Sequence, residues 1–239
     1  MKKLVLALFI LPFLGFSQNQ EIAFDCYGEG VKLYYQGNFS EAIYSFNLAI
    51  EQKEDFQFAY YNRALSNLKL LNFDKAAQDF SKVISLDSTY IEAYKNRAEC
   101  YLKLKEYDKC MLDLQVLISS NSKVRAPYKT LGLCYYYQRS YPLANEAYAF
   151  YLEENDKDYE AWFQKGLCNF YYADFENAIT EFSQVLEINP NYISALDWRA
   201  QAYQKANYIK NACKDWKEAV ELGYSSSQEF LDKYCFEEN

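Results

Sequence analysis

From Tyr60 to Ile84 the chain reads YYNRALSNLKLLNFDKAAQDFSKVI, with apolar residues three and four apart and neither proline nor glycine among them. That spacing places the apolar side chains on one face of an α-helix. The phase breaks at LLNF and then resumes. Thirty-four residues on, YKNRAECYLKLKEYDKCMLDLQVLI has the same design and breaks at LKEY. Further breaks are QGNF, QRSY, YADF and ANYI. In four of the breaks a helix-capping residue stands where a second helix would start: Asn38, Asn72, Ser140 and Asp174. The pattern predicts a repeated unit of helix, tight turn and second helix.

The register is strict. In steps of thirty-four, one column holds Ala42, Ala76, Cys110, Ala144, Ala178 and Ala212. Twelve positions earlier another holds Gly30, Ala64, Ala98, Gly132, Gly166 and Ala200. Large apolar residues flank these small ones, as at Phe39, Phe73, Tyr107, Tyr141, Phe175 and Ile209, or at Phe46, Phe80, Leu114, Tyr148, Phe182 and Trp216. Small side chains let two antiparallel helices cross closely, and the rings fill the space around the crossing. One unit cannot bury both of its faces alone, so neighbours must stack.

These columns and their period resemble the tetratricopeptide repeat family. On that resemblance the repeats span 23–56, 57–90, 91–124, 125–158, 159–192 and 193–226, after a lead-in at 18–22 and before a capping helix and tail at 227–239. The family pattern is incomplete in places. The proline that often closes a repeat stands only at Pro190, and the first and sixth repeats carry Cys26 and Leu196 where an aromatic is usual. The resemblance implies an all-α, right-handed superhelical solenoid of about six helix-turn-helix repeats, without catalytic activity or cofactor, that holds peptides or proteins in a concave groove.

Carrying the family's groove positions across gives Tyr27 and Tyr34 in the first repeat, Tyr61 in the second and Lys95 in the third. Lys129, Tyr136 and Tyr137 follow in the fourth, and Phe163, Phe170 and Tyr171 in the fifth; Asp197 and Gln201 are their counterparts in the sixth. Tyrosine suits such a surface, offering apolar area at small entropic cost and a hydroxyl for a peptide backbone. Some relatives hold carboxylate tails of chaperones with lysine, asparagine and arginine. Asn62, Arg63, Asn96 and Arg97 resemble part of that clamp, but Tyr27, Val31, Tyr61 and Leu65 stand where the rest would be.

The first residues, MKKLVLALFILPFLGFSQ, change the picture of location. Two lysines, an apolar run and Ser17 before Gln18 have the layout of an export signal over 1–17. The run is shorter than a membrane-spanning helix requires and Pro12 interrupts it. The expected location is periplasmic or extracellular, with no membrane span after cleavage. The net charge is −8, and loss of Lys2 and Lys3 would lower it by two more. Such an acidic chain is a poor partner for nucleic acid.

Candidate chemistry is thin. There is no histidine, so Ser/His/Asp and Cys/His nucleophile systems and the common zinc sites are excluded. Neither a GxGxxG nor a GxxxxGK[ST] phosphate cradle occurs. Adjacent carboxylates, Glu153 with Glu154 and Glu237 with Glu238, read as solvated helix ends. Of the seven cysteines, Cys100, Cys134 and Cys168 share one repeat position and Cys110 stands in the alanine column, so these four read as small buried filler. Cys213 and Cys235 would meet if the chain turned around Gly223, and the ending CKDWKEAVELG to KYC resembles that of bacterial envelope members of the family. A disulfide there and two free thiols both remain open. The functional expectation is a peptide- or protein-binding scaffold of the bacterial envelope. A carrier of a small hydrophobic ligand and a subunit associating through its convex face are the alternatives; the partner and the oligomeric state are not specified.

Overall fold

The computed structural model describes residues 5–121 and 123–235, with side chains from Gln18 onward. The expected export signal at 1–17 thus lies outside the described residues except for its backbone from Val5, and Glu237 and Glu238 also lie outside them. Among the described residues there are thirteen helices, and no strand occurs. They form two compact units that divide after Ser120.

Unit 1 holds α1 (Val5–Tyr35), α2 (Phe39–Gln52), α3 (Gln57–Lys69), α4 (Phe73–Leu86), α5 (Ile91–Lys103) and α6 (Tyr107–Ser120). Unit 2 holds α7 (Ala126–Tyr137), α8 (Tyr141–Leu152), α9 (Tyr159–Tyr171), α10 (Phe175–Ile188), α11 (Ile193–Lys205), α12 (Ile209–Glu221) and α13 (Ser227–Tyr234). Within each unit every helix packs on the next, and first helices of consecutive hairpins also touch: α1 on α3, α7 on α9, and α9 on α11. This is the stacked helix-pair architecture that the repeated pattern predicts.

The small columns sit at the helix crossings. A Cβ on Gly166 would come 2.7 Å from the Phe182 ring, and one on Gly132 would come 2.9 Å from the Tyr148 ring. Such approaches are below van der Waals contact, so a larger residue would drive the helices apart. Ala42, Ala64, Ala76, Cys110, Ala144, Ala178, Ala200 and Ala212 are fully buried, as are the rings of Phe46, Phe80, Phe182 and Trp216. Cys100, Cys134 and Cys168 are buried as well, and burial pushes the thiols of Cys100 and Cys168 up to about 12. They are packing atoms, not nucleophiles.

A second link, one residue before the small-to-ring contact, is polar in four of the repeats. Arg63 forks onto Asp79 at 2.8 and 2.6 Å and also donates to Asn47 Oδ1 of the preceding hairpin at 2.6 Å. Arg97 does the same with Asp113 and Ser81, and Arg199 with Asp215 and Ser183. Each arginine therefore ties its own hairpin closed and holds it to the one before. In the fifth repeat Lys165 and Glu181, 2.7 Å apart, take these places. The fourth repeat has Leu131 and Ala147 there and no such link.

The tight turns are helix C-caps with a shared geometry. Gly37, Leu71, Lys105, Arg139, Ala173 and Asn207 all have positive φ and stand thirty-four residues apart. At each, paired backbone bonds close the helix end; Leu71 N–H donates to Leu68 and Asn72 N–H to Asn67. This is the Schellman motif, which favours glycine at the left-handed position. Of the four expected capping side chains, only Asp174 bonds a helix amide, Asn177 N–H at 3.3 Å. Asn38, Asn72 and Ser140 make no such bond. Asn72 instead donates to Asn67 Oδ1, and Asn38 is exposed, leaving nearby amides to water.

The C-terminal end of unit 2 is closed by α13. Trp216 stacks against Phe230 and Tyr234 of α13, with centroids 5.1 and 5.9 Å away. Cys213 and Cys235 are joined, with Cα atoms 5.6 Å apart. Ser227 donates to the buried Asp197 at 2.7 Å.

Non-glycine residues in the left-handed region cost about 1 kcal/mol. Leu71→Gly and Arg139→Gly are expected to raise the unfolding free energy by up to about 1 kcal/mol each, whereas Gly37→Ala lowers it by a similar amount. Urea denaturation of the three variants checks this.

Candidate functional site

The side chains carried over from the groove pattern serve different ends in the two units. In unit 1, Tyr27 and Tyr61 serve the fold. Asn62 donates to the Tyr27 hydroxyl at 3.1 Å and Asn96 to the Tyr61 hydroxyl at 3.0 Å, each bond joining consecutive first helices. Their rings also pack edge-on or tilted against Phe56 and Tyr90 at 5.0 and 5.1 Å. Asn62, Asn96, Arg63 and Arg97 are thus all engaged within the unit, and no carboxylate clamp is assembled from them. Tyr34 is half-buried against Phe39, and Lys95 is exposed beside Glu92 at 3.3 Å.

In unit 2, α7 and α9 lie side by side and present matching stripes. Along α7 run Lys129, Leu133, Tyr136 and Tyr137; along α9 run Glu160, Phe163, Leu167, Phe170 and Tyr171. Near the helix C-termini the rings lock edge to face: Tyr136 meets Tyr171 at 6.1 Å, and Phe170 meets Trp198 at 5.0 Å. Tyr136 and Phe170 are largely packing residues in this cluster, and burial, then the adjacent Tyr171, raises the Tyr136 hydroxyl pKa. Tyr137 and Tyr171 remain 54% and 47% exposed.

Near the N-terminal ends of the same stripes is a cleft of about 280 Å³, lined by Lys129, Leu133, Tyr148, Glu160, Phe163, Gln164 and Tyr192. It opens where the ladder between first helices is interrupted. Gln164 occupies the repeat position of Asn62 and Asn96, and Lys129 that of Tyr27 and Tyr61. Lys129 turns instead to Asp158 at 2.6 Å, with Glu160 at 3.6 Å. Gln164 Oε1 is left buried without a hydrogen-bond partner. One repeat later the ring pair returns as Phe163 and Tyr192, 5.2 Å apart.

Burial works against the Lys129 ammonium, but its bond to Asp158 and that carboxylate's charge outweigh it and raise the pKa. Burial would also push Asp158 up. Bonds from Lys129, Ala161 N–H and the Tyr151 hydroxyl prevail and hold it below 3.8. Asp158 additionally caps α9 through Ala161 N–H at 3.1 Å. Asp197 and Gln201 are bonded to each other and Asp197 to Ser227, so both serve the terminal cap. Glu160, Gln164, Tyr148 and Tyr192 were not among the expected groove residues. Asn62 and Asn96 share the column of Gln164, a signal that gains its meaning only from the bonds they make.

Among the described residues no group of three or more cysteine, aspartate or glutamate side chains is placed to hold a metal ion. No helix among them is long and apolar enough to cross a membrane. A tetratricopeptide repeat profile matches residues 130–193, which contain most of both stripes, and another matches 59–90. The matched stretches are similar to tetratricopeptide repeats. Repeats of this family mediate protein–protein interactions and generally lack catalytic activity. Solved tetratricopeptide repeat structures show the same fold. YrrB, described as having an unusual peptide-binding site, matches over 79% of this chain and 97% of its own at TM-score 0.68 and 21% identity. The C-terminal part of a repeat-containing protein from Cytophaga hutchinsonii matches over 87% and 83% at 0.72 and 20%. MamA matches over 72% and 97% at 0.64 and 20%. No curated protein matches the sequence.

Asp158 has a lowered folded pKa, so its stabilising contribution is complete above its unfolded value of 3.8 and is lost as pH falls through the lower folded value. Asp158→Asn is expected to destabilise the protein at neutral pH and to flatten the fall in Tm below about pH 4. Thermal melts of both proteins from neutral to acid pH check this.

Proposed function

We propose that this chain is a non-enzymatic scaffold that holds a segment of a protein partner along the α7 and α9 stripes, in the bacterial cell envelope. The observation that carries this reading is the fixed aromatic surface at Tyr137 and Tyr171, half-exposed yet backed by Tyr136, Phe170 and Trp198. Rigid rings lose little entropy on binding and supply most of the contact energy in many interfaces. YrrB, a fold relative, has a peptide-binding site by its description, which supports the same use here. Two features support export: the charged and apolar layout of residues 1–17 and the joined Cys213 and Cys235, a bond that persists in oxidising compartments.

Tyr137→Ser with Tyr171→Ser removes the exposed rings and leaves Tyr136 and Phe170 in the core. Partners retained by the wild-type protein from an envelope extract are expected to bind this variant at least about tenfold more weakly. Circular dichroism should show unchanged helicity. Equal retention of the same partner by both proteins would place the interface elsewhere.

A further inference from the structure

We infer that the cleft between α7 and α9 accepts a basic side chain, lysine or arginine, of the bound segment. The inference rests on the scaffold reading above but is carried by different atoms. Gln164 Oε1 is buried and lacks a donor. A buried acceptor without a partner is costly, and a ligand that brings hydrogen-bond donors relieves it. A carboxylate would meet that oxygen as a second acceptor, and an alkyl group would leave it unpaired.

The charge balance points the same way. Lys129 is neutralised by Asp158 at 2.6 Å, which leaves Glu160 in excess, its side chain 63% exposed. Its field reaches the cleft: after burial, Glu160 is the next cause raising the Tyr192 hydroxyl pKa. The walls suit a long cationic side chain. Leu133, Phe163, Tyr148 and Tyr192 offer apolar area for the methylene stem, and ring faces attract a cation. A volume of about 280 Å³ suits one side chain rather than a large ligand.

The test uses the full chain, labelled with 15N, titrated with N-acetyl-arginine amide, N-acetyl-lysine amide, N-acetyl-citrulline amide and N-acetyl-glutamate amide. The Gln164 side-chain amide, assigned by its loss in Gln164→Leu, is the reporter. The two basic probes are expected to shift it saturably and to bind about tenfold more tightly than citrulline, with Glu160→Gln weakening them by a similar factor. Glutamate or citrulline binding as well as arginine overturns the inference, and so does a Gln164 signal unmoved by all four probes. If the probes fail while Tyr137→Ser with Tyr171→Ser still loses its partner, this inference alone falls. If the basic probes bind while that variant keeps its partner, the cleft stands and the aromatic-stripe reading falls.

Discussion

The close crossing of the two helices in each repeat is the constraint on which everything else depends. It requires a residue no larger than alanine on the first helix opposite a large side chain sixteen positions later, as at Gly30 with Phe46, Gly132 with Tyr148 and Gly166 with Phe182. Where the pocket for the ring is deepest, even a methyl group is excluded. Once this contact is made, rotation of the first helix about its axis is set, and its opposite face is turned outward. The side chains available for recognition are therefore a by-product of core packing.

The repeats are held in register by polar ties. The arginine forks join successive hairpins through the second helices, and the asparagine-to-tyrosine bonds join successive first helices in unit 1. In unit 2 the fourth repeat departs from both patterns. Leu131 and Ala147 replace the arginine fork, and Lys129 bonds Asp158 in place of a link to Gln164. Where these cross-ties are missing there is a cleft, with the unpaired Gln164 Oε1 in its wall, on the same stripes as the exposed rings. A repeat protein gains a distinctive site where its ties do not repeat.

The architecture was legible in the sequence because it rests on size. A methyl limit at Ala42 or Ala64 and a ring at Phe46 or Phe80 recur with a period that the eye can count. The turns were less legible. Their left-handed residues include Leu71, Lys105, Arg139 and Ala173, whose backbone geometry is imposed by the Schellman hydrogen bonds and leaves no mark on composition. The groove pattern named Tyr27 and Tyr137 alike, yet the first is half-buried and bonded by Asn62 and the second is 54% exposed. The two stand at different repeat positions, and Tyr137 shares its column with the exposed Tyr35 and Tyr171. Gln164 became visible only when the partner of each asparagine in its column was known.

The central claim is that the missing tie between positions 129 and 164 is what opens the cleft, and a double-mutant cycle tests it most directly. Lys129→Tyr and Gln164→Asn together install the pair that joins first helices in unit 1, while each alone cannot. Urea denaturation of the four proteins is expected to give a favourable coupling of about 1 kcal/mol between the two substitutions. Additive effects, with no coupling, would mean that the register of the first helices in unit 2 is set by other contacts, and the explanation of the cleft would be wrong.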